Sequence, residues 1–94
     1  MAFTGKHSCY SFTFASVRQN APAGSGIYAL SNASRWIFIG DADDVQAALR
    51  SHLAEVGTKL RVAAPTGFTF ELCDPAERAS RRERLIHELS PSLQ

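Results

Sequence analysis

Two short hydrophobic stretches, Gly26-Ile27-Tyr28 and Phe38-Ile39-Gly40, decide the predicted fold of this 94-residue chain. Both stretches contain β-branched and aromatic residues, which favour extended backbone. The residues between them at 32–35 read Asn-Ala-Ser-Arg and are typical of a turn. The two stretches therefore predict an antiparallel hairpin whose strands cover 27–30 and 36–39.

Two further segments alternate between apolar and polar residues, as a half-buried strand does. Over residues 9–15 the side chains of Tyr10, Phe12 and Phe14 fall on one side, with Ser and Thr on the other. Residues 68–73 alternate in the same way. Both segments are therefore predicted to be strands.

Two helices are predicted from start signals followed by apolar residues at helical spacing. The first follows the acidic run at 41–44, where Asp43 and Gln46 resemble a capping box. It is expected to stop near Gly57. The second follows the acid, proline and acid of 74–77 and ends before Pro91.

The order strand-strand-strand-helix-strand-helix predicts an α+β fold, a small three- to four-stranded sheet with helices packed on it. A chain of this length suits one domain over 1–94 with a single modest core. Apolar content of 45% and charged content of 20% are ordinary for a folded protein. The net charge of +1 gives no strong electrostatic preference for nucleic acid.

No apolar stretch is long enough to cross a membrane, and the N-terminus lacks the apolar core of a secretory signal. We therefore expect a cytoplasmic protein without a membrane partner. Cys9 and Cys73 form no CxxC pair, so reduced thiols are favoured over a single bridge. Adding His7, His52 and His87 gives no spacing typical of a zinc site.

The hairpin resembles the two-strand signature of the GIY-YIG nuclease superfamily, with Phe38 in place of the second tyrosine. The resemblance spans about 25–91. It includes a helix with apolar residues and a histidine in register, and a later helix with an apolar pair before a proline. Those residues are Val45, Leu49, His52, Leu53, Leu85, Ile86 and Pro91.

The resemblance implies a phosphodiester-cleaving site that this chain does not complete. In the family the first tyrosine, here Tyr28, helps to activate water, and a histidine, here His52, lies near the site. A helix arginine contacts the scissile phosphate, and its place is held by Ala48. A glutamate binds one divalent cation, and its place is held by Arg82, whose guanidinium has no acceptor and would repel Mg²⁺.

Neighbouring residues are not expected to complete the site. Arg50 points away from Ala48 and Glu83 points away from the apolar face of its helix, because one residue turns a helix by about 100°. Arg82 has three open interpretations: it reaches water, it pairs with Glu71, or it binds an anion where the metal charge would lie.

Two functions remain open. The first is a degenerate, non-catalytic GIY-YIG-like module that binds nucleic acid or protein without a cofactor. The second is a divergent Mg²⁺-dependent DNA endonuclease, with branched DNA as a candidate substrate. The catalytic candidates are Tyr28 and His52. The candidate contacts to an anion or nucleic acid are Phe38, Arg50, Lys59, Arg61 and Arg82.

Overall fold

The computed structural model describes residues 9–32, 35–55 and 62–94. In chain order its strands and helices are β1 (Tyr10–Ser11), α1 (Phe14–Asn20), β2 (Gly26–Ser31), β3 (Trp36–Ala42), α2 (Val45–Ala54), β4 (Gly67–Leu72), a 3-10 turn (Pro75–Glu77) and α3 (Arg78–Leu89). The four strands form one sheet in the order β1-β4-β2-β3, and every neighbouring pair is antiparallel. The predicted α+β class and the predicted hairpin are confirmed.

Helices cover both faces of the sheet because β2 is apolar on both sides. Ile27 and Ala29 pack with Leu85 of α3 on one face. Tyr28 and Leu30 pack on the other face, against side chains of α1, α2 and β4 (Val17, Val45, Leu49 and Phe68). Burying each large apolar side chain contributes about 1.5–3 kcal/mol, so this two-sided strand anchors the fold.

The predicted strand over 9–15 is wrong beyond Ser11. The chain turns at Thr13, whose hydroxyl accepts a hydrogen bond from the Ser16 N–H at 3.2 Å and so caps α1. Tyr10 still packs against Phe68, with ring centroids 5.4 Å apart, whereas Phe14 is 55% exposed. The alternation of aromatic residues therefore corresponds to packing at Tyr10 but not at Phe14.

The predicted capping box of α2 is wrong in its residues. Asp44 is the N-cap, and its carboxylate accepts from the Ala47 N–H at 2.9 Å. The Gln46 amide instead donates to the carbonyl of Ala21 at 2.8 Å and ties α2 to α1. The helix ends at Ala54, and the predicted stop near Gly57 lies outside the described residues.

The predicted start of the last helix is partly wrong as well. Residues Pro75–Glu77 form a 3-10 turn, Asp74 makes no side-chain capping bond, and α3 begins only at Arg78. Its predicted end before Pro91 is confirmed. Ser90 takes the left-handed conformation, with φ of 47°, and its N–H donates to the carbonyl of Ile86 at 2.9 Å.

The segment 91–94 then runs along the outer edge of β3, beside which the described part of the chain places no further strand. Backbone N–H groups of Ser92 and Leu93 donate to the carbonyls of Trp36 and Ile37 at 3.2 and 2.9 Å. The Gln94 side-chain amide accepts from the Ile39 N–H at 2.8 Å and donates to the Ile39 carbonyl at 2.9 Å. This edge of the sheet is therefore covered by hydrogen bonds from the same chain.

Among the described residues, no helix is both long enough and apolar enough to cross a bilayer.

Candidate functional site

Tyr28 lies at the centre of the candidate site because of a glycine on the neighbouring strand. In the antiparallel register, Tyr28 of β2 stands directly opposite Gly40 of β3. A Cβ atom at position 40 would lie 2.5 Å from the tyrosine hydroxyl oxygen and 2.6 Å from Cζ. The absence of a side chain at Gly40 is thus what allows the Tyr28 ring to lie across β3.

The Tyr28 hydroxyl reaches α2, where its oxygen lies 2.6 Å from Nε2 of His52. Phe38 closes the group from β3. Its ring stands edge-on to the His52 ring, with centroids 5.5 Å apart, and 6.2 Å from the Tyr28 ring. The structure therefore brings together three of the residues predicted from the sequence.

A fourth residue, Glu55, completes this group from the C-terminal end of α2. One of its carboxylate oxygens, Oε2, lies 3.3 Å from Nδ1 of His52. The Glu55 N–H also donates to the His52 carbonyl at 3.3 Å, so the backbone holds the two residues together. We call Tyr28, Phe38, His52 and Glu55 the hairpin site.

Burial keeps the Tyr28 hydroxyl protonated. Removal from water raises the pKa of Tyr28 well above its usual range, and the negative charges of Asp41 and then Glu55 raise it further. The positive charge of Arg82 lowers this pKa, but it does not offset the other three effects. Tyr28 is therefore a poor source of phenolate at neutral pH.

The helix position that the resemblance assigns to an arginine brings no charge to the site. Ala48 lies one turn before His52 on the inner side of α2 and packs against the core. Arg50 is exposed on the outer side of the same helix, as the helical geometry predicted. The structure thus leaves Arg50 away from the hairpin site.

Arg82 lies in the opposite layer, on α3. Its Nε is 3.6 Å from Oδ1 of Asp41, and its Nη1 is 3.2 Å from Oε2 of Glu83. Arg78, one helical turn earlier, also reaches Asp41, with its Nε 3.5 Å from Oδ2. The positive charge of Arg82 is therefore already matched by carboxylates of this chain.

The suggested pair between Arg82 and Glu71 is wrong, because Arg81 holds Glu71. Its Nε and Nη2 donate to the two carboxylate oxygens at 2.9 and 3.1 Å. Asp41 and Glu71 flank Ile27 on the sheet face that α3 covers. Because α3 turns by about 100° per residue, it presents Arg82 to one acid and Arg81 to the other.

The residues near Tyr28 do not fit a divalent cation. Of the charges that act on Tyr28, that of Asp41 is the strongest, yet this carboxylate is shared by two guanidinium groups. Arginine offers no lone pair to a metal. Among the described residues, no three His, Cys, Asp or Glu side chains gather into a possible metal site.

The remaining sequence candidates include two basic residues, a histidine and both cysteines. Lys59 and Arg61, and likewise His7, lie outside the described residues. Both cysteines are free, with Cys9 exposed and Cys73 partly buried. Burial raises the pKa of the Cys73 thiol, which disfavours the reactive thiolate.

Sequence reasoning missed Gly40, Asp41 and Glu55 as parts of the site. A signal existed for Gly40, because pairing the hairpin strands places it opposite Tyr28. Another existed for Glu55, because residues three apart on a helix are neighbours on its surface. The double pairing of Asp41 with Arg78 and Arg82 had no such signal, because it depends on how α3 packs.

Comparison with solved structures finds the GIY-YIG N-terminal endonuclease domain of UvrC from Thermotoga maritima. Its magnesium-bound structure matches with a TM-score of 0.69 at 24% identity, covering 81% of this chain and 92% of that one. A tyrosine-to-phenylalanine variant of the same domain, bound to its catalytic divalent cation, matches with a TM-score of 0.69 at 26% identity and the same coverage.

No protein-family model matches the sequence, and no curated protein matches it. The similarity therefore lies in the fold, and it covers most of both chains. The arrangement of the β2–β3 hairpin, of α2 behind it and of α3 across the other face agrees with the sequence resemblance. This chain has a GIY-YIG-like, nuclease-like α+β fold.

Proposed function

We propose that this protein is a non-catalytic binding module built on a GIY-YIG-like fold. The observation that carries the proposal is the ion pairing of Asp41 with both Arg78 and Arg82. Phosphodiester hydrolysis by a metal needs a carboxylate that is free to hold the cation. Here the Asp41 carboxylate is paired with guanidinium groups of the protein itself.

The chemistry of Tyr28 supports the same proposal. A tyrosine that activates water must give up its proton or pass it on, and here burial and nearby carboxylates raise its pKa. Ala48 also brings no positive charge to neutralise a phosphoryl oxygen. Among the described residues, Ala48 leaves the phosphate without the arginine that the resemblance implies, and Tyr28 is not easily ionised.

The proposed partner is nucleic acid or another protein, with no cofactor and in the cytoplasm. Arg50, Lys59 and Arg61 are the proposed contacts to an anionic partner. Because the net charge is only +1, binding to nucleic acid would rest on a local group of cations. Arg82 is a weaker candidate, since its guanidinium is paired with Asp41 and Glu83.

A divergent Mg²⁺-dependent endonuclease is the second candidate, and one observation favours it. His52 lies 2.6 Å from the Tyr28 oxygen, within reach to accept the phenolic proton, and Glu55 stands behind the ring. An acid–base relay consists of a nucleophile or water activator, a base and a carboxylate in line. The similar domain from Thermotoga maritima is described as bound to a catalytic divalent cation.

Cleavage of labelled duplex, single-stranded and branched DNA separates the two candidates. The purified protein is assayed with Mg²⁺, with Mn²⁺ and with EDTA, beside the Tyr28→Phe variant as a matched control that keeps the ring. The binding module predicts no cleavage of any substrate by folded protein. Metal-dependent cleavage that Tyr28→Phe abolishes would establish the endonuclease instead.

Fluorescence anisotropy with the same DNA substrates in EDTA tests the binding role. We expect saturable binding that weakens with salt and is reduced when Arg50, Lys59 and Arg61 are changed together to Gln. The matched control changes Arg84, an exposed arginine of α3, to Gln. If no nucleic acid binds, the proposed partner is another protein.

A further inference from the structure

The His52 ring lies between two oxygen atoms that differ in their hydrogen-bonding capacity. Its Nε2 is 2.6 Å from the Tyr28 hydroxyl, which can either donate or accept a hydrogen bond. Its Nδ1 is 3.3 Å from a carboxylate oxygen of Glu55, which can only accept while it is ionised. Within the described residues Nδ1 is shielded from solvent and makes no hydrogen bond of good geometry.

We propose that Glu55 is a positioning residue that holds neutral His52 as the Nδ1–H tautomer. Its carboxylate then attracts the N–H of Nδ1, and the lone pair of Nε2 accepts the hydrogen bond from Tyr28. The other neutral tautomer would place the Nδ1 lone pair against the carboxylate, two acceptors facing each other at 3.3 Å. Of the two neutral forms, only the first directs a proton at the carboxylate and a lone pair at the hydroxyl.

The tautomer decides what Tyr28 presents to a ligand. With its proton directed at His52, the hydroxyl offers only oxygen lone pairs to anything that reaches it. Phosphodiester oxygens are acceptors as well, so they would gain no hydrogen bond there. The hairpin site would instead accept from a ligand that carries a donor, such as an amide or an amino group.

This inference deepens the proposed function, since it concerns the same site, but its test needs neither DNA nor a binding partner. Long-range ¹H–¹⁵N correlation spectra distinguish Nδ1–H, Nε2–H and doubly protonated imidazole rings. The spectra are recorded on the whole protein at a pH where histidine side chains are neutral. His52 is identified by the loss of its signals in His52→Asn.

We expect the Nδ1–H pattern for His52 in the unaltered protein. Glu55→Ala should shift His52 toward Nε2–H, whereas Glu55→Gln, whose side-chain oxygen still accepts, should retain part of the Nδ1–H form. Glu83→Ala is the matched control, because Glu83 is exposed and pairs with Arg82 in the other layer. It should leave the His52 signals unchanged.

Two kinds of result would overturn the inference. An Nε2–H or doubly protonated pattern in the unaltered protein would mean that Tyr28 accepts rather than donates. An unchanged Nδ1–H pattern in folded Glu55→Ala would show that another group fixes the tautomer. If Glu55→Ala does not fold, the spectra of the unaltered protein and of Glu55→Gln still test the inference, because an Nε2–H pattern in either would contradict it.

Discussion

The Tyr28 hydroxyl makes the stability of this protein depend on alkaline pH in a definite direction. An unfolded tyrosine ionises near pH 10, and the folded structure raises the pKa of Tyr28 above that value. The folded state therefore keeps a proton that the unfolded chain has released. This stabilisation is fully present below about pH 10 and is lost as the pH rises through the folded pKa.

We expect the free energy of unfolding of the unaltered protein to fall more steeply above about pH 10 than that of Tyr28→Phe. The two proteins share every other titrating group, so the difference between their profiles belongs to Tyr28. Urea unfolding at a series of alkaline pH values measures it. Parallel profiles would mean that Tyr28 ionises as readily in the folded protein as in the unfolded chain.

Gly40 is the second residue whose substitution has a clear expected result. In Gly40→Ala the new methyl group would lie 2.5 Å from the Tyr28 oxygen, so the ring or the strand must shift. We expect a loss of about 1–3 kcal/mol in the free energy of unfolding, typical of overpacking. Displacement of the Tyr28 and His52 signals in NMR spectra should accompany the loss.

Gly24→Ala is the matched control for that substitution. A methyl group there would lie 3.5 Å from a Leu72 side-chain carbon, an ordinary contact. Its effect should stay within roughly 0.5 kcal/mol. Equal effects of the two substitutions would show that Gly40 is not required by the Tyr28 ring.

At the scale of the elements, two aspartates with similar sequence contexts differ in what they contribute. Asp44 caps α2 by accepting from the Ala47 N–H, whereas Asp74 makes no side-chain capping bond. Asp44→Ala should therefore lower the free energy of unfolding by about 1 kcal/mol, and Asp74→Ala by much less. Urea unfolding of both variants measures the difference. A larger loss for Asp74→Ala would contradict the capping assigned here.

The hairpin and the two long helices could be predicted from the sequence because their signals are local. The residues around Thr13 could not, because Tyr10 and Phe12 continue an alternation that suits a strand equally well. The hydrogen bond from the Ser16 N–H to Thr13 and the burial of Val17 decide for a helix. Such burial depends on α2, which lies far along the chain.

At the scale of the whole molecule, α2 and α3 pack on opposite faces of the sheet. Restoring the arginine and the glutamate that the GIY-YIG pattern has on these two helices tests how the helices align with that pattern. Ala48→Arg would place a cation one helical turn from His52. Arg82→Glu would remove a partner of Asp41 and add a second carboxylate near it. We expect the double variant to bind Mg²⁺ or Mn²⁺ in calorimetry, whereas the unaltered protein should give no binding heat.

The matched control pairs Ala48→Arg with Arg84→Glu, which changes the net charge equally but on an exposed position of α3. It should bind no divalent cation. If the first double variant, once shown to be folded, gains no metal binding, the alignment of α2 and α3 with the GIY-YIG pattern is incorrect.

Part of the candidate site could be predicted from the sequence, and the part that could not depends on how α3 packs. Tyr28, Phe38 and His52 come together because strand and helix periodicity place them on one side of the sheet. The partner of Arg82 could not be foreseen, because Asp41 and Glu71 are equally plausible acids for an arginine on α3. The packing of α3 on the sheet fixes the rotation of the helix about its axis, and this rotation brings Arg81 to Glu71.

The Gln94 amide beside Ile39 has a consequence for how the outermost strand exchanges with water. A peptide N–H on a sheet edge normally trades its hydrogen for deuterium quickly, since nothing shields it. Here the side chain imitates a peptide group, donating and accepting on the same residue. The Ile39 amide should therefore exchange slowly, and Gln94→Ala, which removes the oxygen that accepts from its N–H, should speed that exchange although no strand is altered.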